Sequence, residues 1–262
     1  MLLTVNVGNS NTRFGVFQGA RLQRVFTLPT PVAGLDSSWK RQWTQALNKN
    51  PKSVLWEGVI AASVVPRLCK DVNGILQALT KRRVRWITSV TPMPVKNAYR
   101  PPRDLGVDRL LNAVAARAEF GAPVIMIDAG TAITVDAVDA RGVFLGGAIL
   151  PGLELSLQAL ARGTALVPRV SLKKPQSLLG RSTRTALAAG VVGGTAGALT
   201  ALVAGLRLKV GPKAMVIGTG GTLEQGILPL PELQHFRPHL ALTALLLLWQ
   251  AGPVIGPSHD AP

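Results

Sequence analysis

Acidic residues are scarce in this chain: 13 Asp and Glu stand against 29 Lys and Arg among 262 residues, a formal charge of +16. That balance favours anionic partners and is compatible with a nucleic-acid surface, because clustered cations neutralise phosphates. The cations are dispersed, however. Their densest run, Lys81-Arg82-Arg83-Val84-Arg85, has the look of a solvated helix end. No zinc-finger, RNA-recognition or helix-turn-helix signature accompanies the charge, so nucleic acid is not the favoured partner. Cysteine is nearly absent. Cys69 alone permits no disulfide within the chain and no cysteine-based zinc site. It reads as a buried thiol, compatible with a reducing cytoplasm. The three histidines, His235, His239 and His259, stand apart from every motif described below. Long apolar runs are missing too. The longest, 240–249, is far short of the ~20 residues that a membrane span needs and predicts a buried C-terminal helix. The opening Met1-Leu2-Leu3-Thr4-Val5 has no basic leader. The expectation is a cytoplasmic protein with no membrane partner.

What is present is ample core material: 47% hydrophobic and 16% charged residues, enough for one large domain or two of moderate size. The chain also repeats itself. Val5-Asn6-Val7-Gly8-Asn9-Ser10-Asn11-Thr12 is echoed by Ile127-Asp128-Ala129-Gly130-Thr131-Ala132-Ile133-Thr134. Each copy is an apolar run, an Asn or Asp, a small residue, a glycine, then small residues ending in Thr. That order predicts a strand, a tight turn and a second strand. A glycine hairpin edged by Ser, Thr and Asn suits a phosphate, and two of them suggest two related domains serving one nucleotide.

Strands are expected at 2–7, 13–17, 21–28, 54–63 and 84–87, with helices at 37–47, 68–79 and 108–120. A second domain opens near Ala122, with strands at 124–128, 131–138, 143–150 and 214–218 and helices at 153–161 and 181–206. The prediction is α/β throughout: a lobe over 1–120, a lobe over 121–251, and a loose tail over 252–262.

In the first hairpin, Asn6, Val7, Gly8, Asn9, Ser10, Asn11, Thr12 and Arg13 offer backbone N–H groups, short polar side chains and a cation to ATP phosphates. An ordinary Asn-Gly turn has the same look. Asp128, at a strand end in the second hairpin, suits a cation or a phosphate, or else caps its own turn. The densest segment is Asn97-Ala98-Tyr99-Arg100-Pro101-Pro102-Arg103-Asp104-Leu105-Gly106-Val107-Asp108-Arg109. Asp108 opens a helix, where an Asp either accepts a proton from a substrate hydroxyl or charges the helix start. Arg109 and the helix N-terminus suit a carboxylate or phosphate.

Taken in order, these motifs resemble the type III pantothenate kinase family. The resemblance rests on Asn6 to Thr12, Ser63-Val64-Val65-Pro66, Tyr99-x-x-Pro-x-x-Leu-Gly-x-Asp-Arg109 and Asp128-Ala-Gly-Thr-Ala. It continues in Gly146-Gly147-Ala148-Ile149-Leu150-Pro151-Gly152, Gly180-x-x-Thr183-x-x-Ala186 and Gly218-Thr-Gly-Gly221, and runs to about Gln250. It implies an actin-like ATPase fold, two ribonuclease-H-like lobes with a nucleotide cleft between them. It further implies an enzyme that phosphorylates pantothenate from ATP, the first step towards coenzyme A. By the same likeness Asp108 is the general base. Tyr99, Gly106, Val107, Asp108, Arg109 and Thr183 bind pantothenate, Asn6 to Arg13 and Thr131 bind ATP, and Asp128 holds potassium or ammonium. Magnesium and a homodimer, with Gly180–Leu206 at its interface, are implied as well. One position departs from the family pattern: Asn6 stands where an Asp is usual. A neutral amide lacks the charge that attracts magnesium. Weakened catalysis, or a regulatory or nucleic-acid-associated role on the same scaffold, is the alternative that follows.

Overall fold

The computed structural model describes residues 1–31, 37–48 and 55–252. Two compact units emerge. The first combines Met1–Pro94, Arg100–Ala115 and the residues from Ala241 onward; the second combines Val95–Tyr99 and Ala116–Leu240.

In the first unit, β1 (Leu2–Val7), β2 (Asn11–Gln18), β3 (Arg21–Pro29), β4 (Gly58–Ser63) and β5 (Val84–Ile87) form one sheet in the order β3-β2-β1-β4-β5. Strands β1, β2 and β3 run antiparallel, whereas β4 and β5 join parallel to β1. Parallel pairing requires crossovers, which helices supply: α1 (Ser37–Asn48) precedes β4 and α2 (Cys69–Thr80) precedes β5. Helix α3 (Val107–Phe120) then leads from the first unit into the second.

The second unit repeats the plan. Its strands are β6 (Lys96–Asn97), β7 (Val124–Ala129), β8 (Ala132–Val138), β9 (Val143–Pro151), β10 (Met215–Thr219) and β11 (His235–Phe236), ordered β11-β10-β7-β8-β9-β6. Read as β9-β8-β7-β10-β11, this is the first sheet's order with the same strand directions; β6 is added parallel to β9. Its helices are α4 (Leu153–Gly163), α5 (Thr183–Ala188), α6 (Gly194–Val210) and the short α7 (Gly221–Glu224). The repetition extends to burial. Strands β1 and β7 are each buried at every position except the fifth, Asn6 and Asp128, which are half-buried. A strand covered on both faces is apolar along most of its length: up to that position β7 has an unbroken run, Val124–Ile127, and β1 is interrupted only by Thr4, whose buried hydroxyl donates to the Gly15 carbonyl at 3.3 Å.

Aromatic packing anchors the first core. Phe14 is fully buried, stacks on Phe26 with ring centroids 4.6 Å apart, and meets the edge of Trp43 at 4.8 Å. The C-terminal helix α8 (Leu240–Gln250) is apolar nearly all round, as a buried helix must be. The sequence reading assigned this stretch to the second lobe; the contacts group it from Ala241 with the first unit. Three features hold it there. A Cβ on Gly58 would fall 2.0 Å from the Trp249 ring, so the indole lies directly on the β4 backbone. Trp249 Nε1 donates to Glu57 Oε1 at 3.2 Å, and Arg85 Nη1 donates to the Leu248 carbonyl at 3.0 Å.

Two expectations change. The strand predicted over 54–63 begins at Gly58, and Val54 lies outside the described residues, as do 253–262 of the predicted tail. The longest apolar element is not α8: α5 and α6 join through a π-helical segment, Ala189–Gly193, into a continuous helix of 28 residues, Thr183–Val210. Among the described residues it is the one helix long and apolar enough to cross a membrane. Val191, Val192, Leu199, Val203 and Val210 on it are buried in the second core.

Truncating Phe14 to Ala is expected to cost about 3–5 kcal/mol, read as a lower urea midpoint, with Phe14→Leu costing a fraction of that. Asp139 gives a pH-dependent counterpart. Its carboxylate accepts from the Val143 and Arg141 backbone N–H groups, both at 2.9 Å, and pairs with the Arg141 guanidinium at 3.0 Å. The Val143 N–H foremost, then Arg141, holds its pKa below the ordinary carboxylate value. The contribution is therefore complete above pH about 4 and vanishes as the pH falls through the lower folded value. Urea midpoints of the wild type and Asp139→Asn should differ at pH 7 and converge in acid.

Candidate functional site

The first hairpin closes where the Gly8 N–H donates to the Asn11 carbonyl at 3.0 Å. Gly8 is half-buried, and Asn9, Ser10 and Asn11 are exposed at the tip. Strand pairing resumes at Val7 opposite Thr12 and Asn6 opposite Arg13. Val7 and Thr12 are buried; the Thr12 hydroxyl is shared with that of Thr30 at 3.0 Å, and the Thr30 N–H bonds the Ser10 carbonyl at 2.8 Å. The tip is thus braced from beneath while its polar edge faces solvent. Asn6 lies between Arg13 of β2 and Ala62 of β4. Its amide oxygen is buried without a hydrogen-bond partner. A buried acceptor left unpaired costs about 1–3 kcal/mol, so this oxygen is ready for a donor or a cation.

The second hairpin is built alike but is one residue shorter. Gly130 and Thr131 turn the chain, the Gly130 N–H donates to the Ala132 carbonyl at 3.1 Å, and Asp128 pairs with Thr134 where Asn6 pairs with Arg13. The sequence echo holds through the glycine and then slips by one position. Asp128 lies between β8 and Thr219 of β10. Two glycine segments press on this tip. The Gly152 N–H donates to the Thr131 carbonyl at 2.9 Å. Gly220, at φ +98°, sits so close to Ala129 that a Cβ there would lie 2.6 Å from its backbone. Only glycine meets both demands.

The Gly-x-Asp-Arg segment belongs to the first unit. A Cβ on Gly106 would fall 2.7 Å from Asp108 Oδ1, so the missing side chain is what seats the carboxylate. The Arg109 N–H donates to that same oxygen at 2.9 Å at the start of α3. Asp108 is half-buried with Arg109 and Asn112 buried beyond it. The segment also adjoins the first hairpin. The nearest other atom to the position of a Gly106 Cβ is Val64 Cγ1, at 3.7 Å, and the Val64 N–H bonds the carbonyl of Val7 at 3.0 Å. Ser63 to Pro66 is therefore the connecting wall, its turn capped by Ser63 Oγ accepting from the Val65 N–H at 3.0 Å. Cys69 follows in α2, buried, and burial pushes its thiol pKa up.

The remaining residues lie in the second unit. The Tyr99 ring packs over Gly146, and the Tyr99 N–H donates to Asn97 Oδ1 at 2.9 Å. Thr183 is the exposed first residue of α5, behind a capping box of Ser182 and Thr185. It borders a groove of about 710 Å³ together with Leu160, Leu187 and Val191. Among the described residues no three His, Cys, Asp or Glu cluster as a metal would require. Among the features that sequence reasoning missed is a cavity of about 580 Å³ between α4 and the segment after α7. Leu157, Arg162, Arg169, Val170, Gln225 and Ile227 are among its walls. No periodicity marks 164–180, so nothing in the sequence pointed there.

Comparison with known proteins covers nearly the whole chain. The family model described as type III pantothenate kinase matches residues 2–205. A type III pantothenate kinase of Parafrankia sp. is 34% identical over 95% of this chain and 98% of its own. One from Anaeromyxobacter dehalogenans is 36% identical over 95% and 98%. A Baf family protein of Campylobacter jejuni, described as a transcriptional activator, superposes with a TM-score of 0.60 at 19% identity, over 96% of this chain and 98% of the other. At that identity the likeness speaks for the fold alone.

The crowding at Gly220 makes a direct prediction. Gly220→Ala should destabilise the chain by at least about 2 kcal/mol in urea denaturation. Gly221→Ala, with nothing within 4 Å of its added methyl, should change stability by less than about 1 kcal/mol.

Proposed function

The chain belongs to the type III pantothenate kinase family, and from that membership we propose that it transfers the γ-phosphoryl group of ATP to pantothenate, giving 4'-phosphopantothenate on the route to coenzyme A. The observation that carries this reading is the seating of Asp108: a carboxylate fixed by Gly106 and the Arg109 N–H, one residue contact from the wall that borders the first hairpin. In the reaction Asp108 takes the proton of the substrate hydroxyl as its oxygen bonds the γ-phosphorus, and the bond from that phosphorus to the bridging oxygen breaks to release ADP. Arg109, at the helix start beside Asp108, holds the anionic substrate, with Gly106, Val107, Tyr99 and Thr183 as further binding residues.

ATP phosphates fall to the first hairpin, through Gly8, the exposed polar tip Asn9 to Asn11, and Arg13, with Val7 and Thr12 as its buried supports. Thr131 contacts ATP from the second hairpin. The cavity beside α4 suits the nucleoside, since α4 follows Gly152 and the segment after α7 follows Gly220, both of which touch that hairpin. Bound magnesium supplies positive charge to the phosphate oxygens. The unpartnered oxygen of Asn6 fits as an acceptor towards the ion or its waters, with less attraction than a carboxylate gives. Asp128, in the matching position of β7, is the candidate for the monovalent cation.

A homodimer through Gly180–Leu206 is part of the same proposal. Only 28% of the most apolar window of the Thr183–Val210 helix is buried. Leu166, Leu178 and Leu208 stand exposed in the same unit. Apolar surface on that scale is characteristic of an interface.

One specific observation, Asn6 with its uncharged orphan oxygen, favours a second reading in which catalysis is weak and the protein regulates or accompanies nucleic acid. A single assay separates the two: phosphopantothenate formation from ATP and pantothenate with magnesium and potassium. The wild type should turn over, Asp108→Ala should lose at least about 100-fold in kcat, and Asn6→Asp should lower the magnesium concentration needed for half-maximal rate. Rescue only in Asn6→Asp would mean an intact substrate site beside a disabled phosphate site. No product from the wild type or Asn6→Asp would overturn the kinase reading in favour of the second.

A further inference from the structure

We propose that the second unit carries a separate anion site, the cavity bordered by Lys173, Lys174, Arg181 and Arg184, whose occupant is a small phosphorylated molecule with at least two negative charges. The cavity measures about 570 Å³, within the usual range for small-ligand pockets. Four cations line it and no Asp or Glu does. Among the described residues none of the four side chains takes part in an ion pair. Four like charges around one hollow repel each other, and a multivalent anion relieves all of those repulsions at once.

The backbone contributes in the same sense. Arg184, Thr185 and Ala188, which also line the cavity, lie in the opening turns of the continuous Thr183–Val210 helix. The positive end of a long helix dipole thus adds to the side-chain charge. Pro175, Leu179 and Ala188 give the cavity an apolar side, so the ligand class is a phosphate-bearing molecule with an apolar arm rather than a bare ion. None of the residues assigned above to phosphoryl transfer lines this cavity. Its ends adjoin that machinery all the same. Ser171 is shared with the cavity beside α4, and Arg181 with the groove bordered by Thr183. An occupant would therefore press on both.

The test uses tripolyphosphate as the probe, titrated calorimetrically into the full chain at constant ionic strength. Three proteins are compared: wild type, Lys173→Ala/Lys174→Ala, whose two positions lie outside the proposed dimer interface, and a control with the same charge loss elsewhere, Arg21→Ala/Lys70→Ala. All four positions are exposed, so melting temperatures should agree within about 4 °C, which confirms that the fold is kept. The expected result is a loss of affinity of about tenfold or more in the pocket variant and less than about threefold in the control. Equal losses in both variants would show diffuse attraction to a basic surface and overturn the proposal. So would unchanged affinity in the pocket variant, which would put the probe at the hairpins. Oligonucleotides that bind more tightly than tripolyphosphate, with affinity rising with length, would overturn the small-molecule occupant.

Discussion

Everything in the candidate site depends on a central strand that is closed to water along its length and open at one residue. In β1 that residue is Asn6 and in β7 it is Asp128, each one position before the strand's end. Burial on both faces packs the strand along its length, and a one-residue slip in register would drive the side chain of Asn6 or Asp128 to the opposite face. The hairpin that follows therefore leaves the sheet at a defined point and angle. In the first hairpin the polar tip is positioned by the core together with the bonds that close and brace it, Gly8 to Asn11 and Thr30 to Ser10. A loop held in that way can present backbone donors to a ligand without losing entropy when the ligand arrives.

The two openings differ in the group that they present. Asn6 offers an uncharged acceptor with no partner, which stores a local cost that a bound ligand removes. Asp128 brings a carboxyl group to the equivalent position. Close packing protects the second hairpin more tightly, with Gly220 pressed against the Ala129 backbone and Gly152 bonded to Thr131. The first is braced through a shared hydroxyl pair, Thr12 with Thr30, and through the backbone bond from the Thr30 N–H to the Ser10 carbonyl. Asp108 follows the same logic of a missing side chain. Its carboxylate sits where any residue larger than glycine at 106 would collide with it.

Much of this was legible in the residues. The two hairpins, the strands of both sheets except the two-residue β6 and β11, and the helix opened by Asp108 follow from apolar period and turn chemistry. The repeat itself was visible, although its alignment beyond the glycine was not, because a one-residue difference in turn length leaves no mark on residue types. The cavity walls at 169–172 and 225–227 were invisible for a different reason. They are made by irregular segments, whose side chains follow no period and whose neighbours are remote in the chain.

The sequence by itself determined the α/β class, the doubled plan and the family, since these rest on local patterns repeated in a fixed order. Tertiary structure alone decided that α8 serves the first unit. A helix apolar on nearly every side carries no information about which sheet it covers, and the choice falls to the space that Gly58 leaves for Trp249. It also decided that Val64 joins Asp108 to the first hairpin, and that Lys173, Lys174, Arg181 and Arg184 meet around one hollow. Charge and chemistry are written in the residue types. Convergence is not, because distance in space is set by how the whole chain packs.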